Sequence, residues 1–512
     1  MRNSTIQALM ILILMLLLGI IGLASCSNPD ERPMDNLFLN SQDPLPASPV
    51  GLVISDPQFR VVEPDPLINE SYKATAITMQ TTQEMWGMFL NATKRIDLVG
   101  TRVTNPDMVS RLVSVANKGV KVNLVVEEGY FTDQEASYYI SQLGQNPNIT
   151  LKTDNDGIAR QVHSRYAIID DHIVLVSSGD FLDETFNTSV NNTLIFNTPR
   201  TYTDGAGASG VTTITDAFLF DFDQMFNQGL FGGNKATLNN HTFNIGSMVE
   251  IYFGPNDNLL AEIYNELQNM NTNLYYAIKE VNDPDLLNII MNYGTEGYYD
   301  TISNLAYIDP YLENGIGFTW PGYNSLNHKF IIIDMPANVT NTINPVVLDL
   351  LDPVVITGSA NWTHNGLRLN DEVMVIVHDL TLAFKYAIEI SALSRESQGY
   401  GVVYGKIRTN KNVPIMEAEI SCDSNAIPGG AFPGDGGQHP EGMSDARGFY
   451  FMFVRTGFVR NIHLTSIGEA TTYLFPDPIW GPDSPNEGYN LLPGASLEVD
   501  FYLYPQPHAT GT

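Results

Sequence analysis

Two stretches place a cation two residues after a group that could act on a reacting atom: His163-Ser164-Arg165 and Asn327-His328-Lys329. Each continues through an apolar run to an aspartate, Tyr166-Ala167-Ile168-Ile169-Asp170 in one case and Phe330-Ile331-Ile332-Ile333-Asp334 in the other. Such short apolar runs read as strands, and alternate residues of a strand share a face. His163 and Arg165 therefore reach one phosphate-sized anion together, as do Asn327 and Lys329, while His328 points the other way. An imidazole can attack an electrophile or carry a proton, and a neighbouring cation can hold negative charge as it builds. Asparagine cannot exchange a proton near neutral pH, so Asn327 breaks the equivalence of the two stretches. Small-residue turns follow each strand, Ser177-Ser178-Gly179-Asp180-Phe181 and Thr357-Gly358-Ser359-Ala360-Asn361-Trp362. Polar segments come next, Asn191-Asn192-Thr193 and Asn370-Asp371-Glu372.

The elements that must position these residues occur twice. Residues 82–91 read as a helix, 96–99 as a strand, 108–117 as a helix ended by Lys118-Gly119, and 120–126 as a strand. The order returns with a strand at 249–253, a helix at 258–270, a strand at 274–278 and a helix at 284–293. Helices at 213–227 and 384–394 are expected to return across the two halves. Strands alternating with helices predict an α/β fold with sheets covered on both faces. The repeat predicts two pseudosymmetric α/β/α lobes, at 71–240 and 245–396. Past about residue 400 the pattern changes to short strands between Gly- and Pro-rich turns, which predicts a small all-β sandwich over 401–505.

The paired motifs resemble those of the phospholipase D superfamily, which carries two copies of H-x-K-x4-D, each followed by G-S-x-N and a later acid. The second tail, Gly358-Ser359-Ala360-Asn361 with Glu372 beyond it, is the specific match; the resemblance spans about residues 75–396. It implies a phosphodiesterase that passes through a phosphohistidine, with His163 as nucleophile and Arg165 and Lys329 as phosphate ligands. Asp170 and Asp334 are the remaining catalytic positions of the two motifs. Ser178, Asp180, Asn327, Ser359, Asn361 and Glu372 are expected to support the site or bind phosphate. Ser178 answers Ser359, Asp180 answers Asn361, and Phe181 answers Trp362. The sequence departs from the pattern at Arg165, a larger cation than lysine, and at Asn327, where the second histidine belongs. The orienting acid is expected to be split too: Glu372 lies in the half without a histidine, and its place in the first half aligns with Thr193. On that alignment His163 lacks its support unless Asp180 or another carboxylate substitutes. Loss of a general acid costs a factor of ~100–10,000, least for leaving groups that need no proton. A non-catalytic pocket for phosphate or lipid headgroups, or an envelope scaffold, is the alternative. His328 is expected to be structural.

The ends carry other signals. Residues 6–23 are almost wholly apolar and precede Leu23-Ala24-Ser25-Cys26. This resembles a bacterial lipobox, implying a signal segment over 1–26, lipidation of Cys26 and a Pro-rich tether over 27–70. An uncleaved membrane-spanning helix is the other reading of the same run. Ser27 after the cysteine points by resemblance to the outer membrane of the cell envelope. The C-terminal segments Val403-Tyr404-Gly405-Lys406-Ile407 and Ser444-Asp445-Ala446-Arg447-Gly448-Phe449 resemble the carboxypeptidase regulatory-like domain, an accessory module. The net charge of −31 repels nucleic acid and anionic membranes at long range; a phospholipid is expected over nucleic acid as the phosphodiester. With two cysteines, Cys26 and Cys422, no disulfide framework is possible. No cofactor or metal is expected, and aspartates such as Asp154 read as solvated turns. Both halves lie in one chain, so a monomer suffices for a paired site.

Overall fold

The computed structural model describes residues 87–129, 134–154, 160–182, 185, 189–271, 274–292, 296–300, 318–319, 325–334 and 352–395, together with separate strands nearer the two ends. The first sheet has the order β1-β8-β7-β6-β3-β4-β5, comprising β1 (Gly51–Ser55), β3 (Arg95–Val99), β4 (Lys121–Val126), β5 (Ile149–Thr153), β6 (Tyr166–Ile169), β7 (Ile173–Ser177) and β8 (Ser189–Asn197). The second has the order β13-β12-β11-β15-β16-β17-β10-β9. Its members are β9 (Thr242–Asn244), β10 (Met248–Gly254), β11 (Leu274–Ile278), β12 (Glu296–Tyr299), β13 (Phe318–Thr319), β15 (Lys329–Ile333), β16 (Val354–Gly358) and β17 (Glu372–His378). In each sheet the motif strand, β6 or β15, lies between an earlier strand and the next in sequence, antiparallel to both. The run from β1 to β5 matches the run from β10 to β13 strand for strand, with β9 additional in the second sheet, so the fold is mixed α/β with two pseudosymmetric lobes, as the repeat predicts. A two-residue strand, β14 (Ser325–Leu326), leaves the second lobe and pairs with β8 of the first.

The helices follow from local sequence. α1 (Pro106–Asn117) starts at Asn105, whose side chain accepts from Met108 N, with proline at the first helical position. α2 (Gln134–Gly144) completes that face of the first lobe. α3 (Ile214–Phe226) begins with a capping box between Thr213 and Asp216, and every one of its residues is buried. It is buried all round because it lies between the lobes. Phe218 packs edge-on against Tyr166 of one lobe and Phe253 of the other, at 5.0 and 5.4 Å between ring centroids. α4 (Leu259–Asn269), α5 (Pro284–Asn292), α6 (His364–Arg368) and α7 (Leu380–Arg395) belong to the second lobe. A single apolar core joins α3 and α7 to the inner faces of both sheets, and each outer face has its own core.

Two boundaries differ from expectation. Gly51–Ser55, read from its prolines as part of a tether, is the edge strand β1 paired antiparallel with β8. The β2 strand (Ala74–Thr78), expected to open the first lobe, pairs instead with the late strand β23 (Ser496–Leu503). Pro49 and Pro57 flank Gly51–Ser55 without entering it, and five-residue strands are too short to carry a clear period. Beyond the lobes, β18 (Tyr400–Thr409) and β20 (Phe449–Arg455) join β2 and β23 in a four-stranded sheet. β19 (Ala418–Ser424), β21 (Gly457–Ile467) and β22 (Tyr489–Leu491) form a three-stranded one. The apolar run at 6–23, Cys26 and most of the expected tether lie outside the described residues. Among the described residues, no helix is long and apolar enough to cross a membrane.

Candidate active site

The starts of the two motif strands meet where the lobes join. His163 N donates to Asp371 O at 2.9 Å, and Asn327 N donates to Val190 O at 3.0 Å, so each motif leans on the other lobe. His163, Arg165, Asn327 and Lys329 are all buried. The cations of both lobes converge on one carbonyl: Arg165 Nη1 and Lys329 Nζ donate to Ser178 O at 2.5 and 2.7 Å. Lys329 also donates to Asn327 Oδ1 at 2.8 Å. Burial, with Arg165 and Lys279 nearby, pushes the Lys329 ammonium well below the usual lysine range. Two buried cations on one carbonyl make a locally positive pocket in an acidic protein, and such a pocket favours an anion.

His163 does not lack its acid. Glu372, fully buried at the start of β17, brings Oε1 to 2.6 Å from His163 Nδ1. The other side of the carboxylate accepts from Ser359 Oγ at 2.5 Å. Burial alone would raise the Glu372 pKa, but the facing His163 and the Ser359 hydroxyl outweigh it and hold the carboxyl below its usual range. Arg165 Nη2 lies 2.6 Å from His163 Nε2. A guanidinium can only donate, so Nε2 is the acceptor and the ring proton sits on Nδ1, facing Glu372. Burial and the Arg165 charge lower the His163 pKa, keeping the imidazole neutral. That is the tautomer a nitrogen nucleophile needs.

The hydrogen bonds also correct the alignment. Ser178 N donates to Asn192 O and Ser359 N to Val373 O, both at 2.9 Å. Asn192 therefore answers Val373, and the residue answering Glu372 is Asn191, not Thr193. Asn191 donates to the carbonyls of Thr185 and Ser189, and its Oδ1 is buried without a partner. Histidine and acid have thus been replaced together in one half-site, by Asn327 and Asn191, and kept together in the other. The sequence could not show this, because each pair is drawn from two lobes far apart in the chain.

Other expected site residues fall elsewhere. Asp170 and Asp334 stand at the far ends of their strands and do not reach the site. Both adopt positive φ, 53° and 56°. Asp170 accepts from the backbone N–H groups of Thr93, Lys94 and Arg95, and Asp334 from Asn271 N. They hold turns, and nothing places them near a reacting atom. Asp180 accepts from Arg102 N and Phe181 N at 2.9 Å and faces backbone rather than His163. The Ser178 hydroxyl is taken by Asn192 N at 3.0 Å, so Ser178 serves the site through its carbonyl. His328 lies on the opposite face, fully buried, with Nε2 2.8 Å from Glu389 Oε1 and Nδ1 3.0 Å from Asn192 Nδ2. Asp154 is not solvated: it is 2% exposed and accepts from Glu128 N at 2.8 Å.

A cleft of about 320 Å³ opens above His163, lined also by Gln161, Glu280, Asn282, Asn361, Thr363, His364, Asn365 and Asn370. Several of these come from segments that the motif pattern does not mark, Glu280 and Asn282 just after β11 and His364 at the first turn of α6.

A duplicated α/β fold with two half-sites meeting at a lobe interface defines the class. Residues 86–205 and 252–393, just over half of the chain, match the family described as cardiolipin synthase, PLD-like domain, and the chain belongs to that phospholipase D-like family. No curated protein matches it. Among solved structures, it is similar to polyphosphate kinase from Porphyromonas gingivalis, at 15% identity and a TM-score of 0.43 over 63% of this chain and 50% of that one. It is similar to phosphatidylserine synthase from Haemophilus influenzae Rd KW20, at 13% identity and 0.44, over 62% and 85%. A third is the phospholipase D family member Nuc from Salmonella typhimurium, at 19% identity and 0.25, over 30% and 96%. The chain thus spans half the length of the polyphosphate kinase. The family assignment rests on the sequence match and not on these superpositions.

Proposed function

We propose that this protein is a phosphodiesterase in which His163 is the nucleophile. The observation that carries the reading is the intact Glu372–His163 pair, drawn across the lobes and set beside two buried cations. His163 Nε2 attacks phosphorus, a P–N bond forms, and the P–O bond to the leaving alcohol breaks. Water then attacks the phosphohistidine and releases a phosphomonoester. Glu372 holds the Nδ1 proton and stabilises the charge that the ring gains, while Arg165 and Lys329 bind the non-bridging oxygens. The net charge of −31 weighs against nucleic acid, which leaves a phospholipid as the favoured diester. On the same reading, Cys26 carries the lipid that holds the chain to the outer membrane, and the C-terminal strands form an accessory module of the carboxypeptidase regulatory-like kind.

Hydrolysis of bis(p-nitrophenyl) phosphate by the detergent-solubilised full chain, beside its His163→Ala variant, tests this. The expected result is turnover by the natural protein and none above background by the variant. Equal rates would remove His163 from the mechanism. A second reading, a pocket that holds phosphate groups without turning them over, is favoured by the joint loss at Asn327 and Asn191. It predicts no turnover by either protein.

A further inference from the structure

The second half-site lacks its imidazole, yet the strand beside it brings another acid to the same place. β11 and β15 are antiparallel, with Ile278 opposite Lys329, and Lys279 N donates to His328 O at 2.8 Å one step further on. Glu280 follows two residues past the end of β11, where Trp362 N donates to its carbonyl at 2.9 Å. The Lys329 charge, two residues from Asn327, acts on its carboxyl. Glu280 therefore enters the half-site from which a histidine at 327 would reach. Its side chain lines the same cleft as His163. One contact it makes is long, 3.4 Å from Asn361 Nδ2 to Oε2.

We propose that Glu280 is the general acid of this protein: its carboxyl replaces the missing second histidine. This rests on the phosphodiesterase reading and deepens it, since it makes the two half-sites unlike, one nucleophilic and one proton-donating. Glu280 gives its proton to the leaving alkoxide oxygen as the P–O bond breaks. The resulting carboxylate then takes a proton from the water that attacks the phosphohistidine, restoring the acid. The site would thereby cleave diesters of ordinary alcohols, which a lone histidine handles poorly.

The surroundings suit the role. Burial raises the Glu280 pKa, with Lys279 and Lys329 opposing it. The other titratable groups on the cleft are His163, across it, and His364, exposed at the start of α6. His364 is the competing proton donor, and its variant belongs in the test.

The test compares an alkyl p-nitrophenyl phosphate diester, losing p-nitrophenoxide, with a dialkyl phosphate diester, on the full chain and its Glu280→Gln and His364→Gln variants. Glu280→Gln is expected to lose ~100-fold or more on the dialkyl diester and less than ~10-fold on the nitrophenyl one. Activity on the nitrophenyl diester also shows that the variant is folded. In the natural protein, dialkyl cleavage falls on the basic side as Glu280 ionises, and that limb vanishes in Glu280→Gln. Adding Asn327→His to Glu280→Gln is expected to restore part of the loss. Equal losses on both diesters, or a selective loss in His364→Gln instead, would overturn the role of Glu280 while leaving the His163 nucleophile in place. No turnover of the nitrophenyl diester by the natural protein would remove the phosphodiesterase reading and this proposal together.

Discussion

At the residue scale, the proposed chemistry hinges on how His163 is held. Nδ1 faces a buried carboxylate and Nε2 faces the cleft beside Arg165, so the ring has one orientation and one tautomer. Glu372→Gln keeps the shape and removes the charge. It is expected to slow His163-dependent turnover by ~100- to 10,000-fold, since a mispositioned or wrongly protonated imidazole cannot attack. The pH profile carries the sign. Glu372 raises the His163 pKa against burial and Arg165, which lower it. Without Glu372 the imidazole stays neutral to still lower pH, so the acid limb of the profile shifts downward. An unchanged rate and profile would mean that the cross-lobe contact plays no part in the chemistry.

At the element scale, the motif aspartates do work that their place in the pattern disguises. Each β-strand entering the site must be tied to the turn before its neighbouring strand. Asp170 does this for β3 by accepting from three successive backbone N–H groups. Burial acts to raise its pKa, but the N–H groups of Lys94 and Thr93 outweigh it and hold the carboxyl below the usual range. A depressed carboxyl stabilises the fold above its unfolded pKa, and that stability is lost as pH falls through the folded pKa. Asp170→Ala is therefore expected to lower the melting temperature at neutral pH, by about 1–3 kcal/mol of stability. The gap between variant and natural protein should close below about pH 4. A gap that persists undiminished there would show that the carboxylate charge is not the stabilising element. Gly358, the last residue of β16 before Ser359, has φ 142°, and a side chain there would run into the Val373 carbonyl. The small residue in that motif is thus a steric requirement of the turn.

At the scale of the whole molecule, the lobes are coupled by buried charge as well as by the shared core. Lys235 reaches Asp221 of α3 at 2.7 Å and Asp371, beside Glu372, at 2.8 Å, with all three side chains almost fully buried. Asp371 also accepts from Gly232 N, and its carbonyl receives the His163 N–H. The same residue therefore anchors the cluster and His163. Lys235→Met would leave two buried carboxylates without their cation. It is expected to cost ~3–5 kcal/mol, read as a lower midpoint in urea. Adding Asp221→Asn and Asp371→Asn should recover most of that loss. A single variant as stable as the natural protein would show that the cluster does not hold the lobes.

The fold class and duplication were legible in the sequence because period and order are local properties. Strand spans such as Leu274–Ile278 agree with the reading, and the helices at 106–117 and 259–269 agree to within two residues. The motif also marked His163, Arg165 and Lys329, since alternate positions on one strand must share a face. The pairing of His163 with Glu372, the match of Asn191 rather than Thr193, and the place of Glu280 on the His163 cleft were decided only by tertiary structure. Each joins residues from different strands, and strand register is set by packing between distant segments rather than by either segment alone. The sequence by itself thus determined which groups were available, and the meeting of the two lobes determined which of them act together.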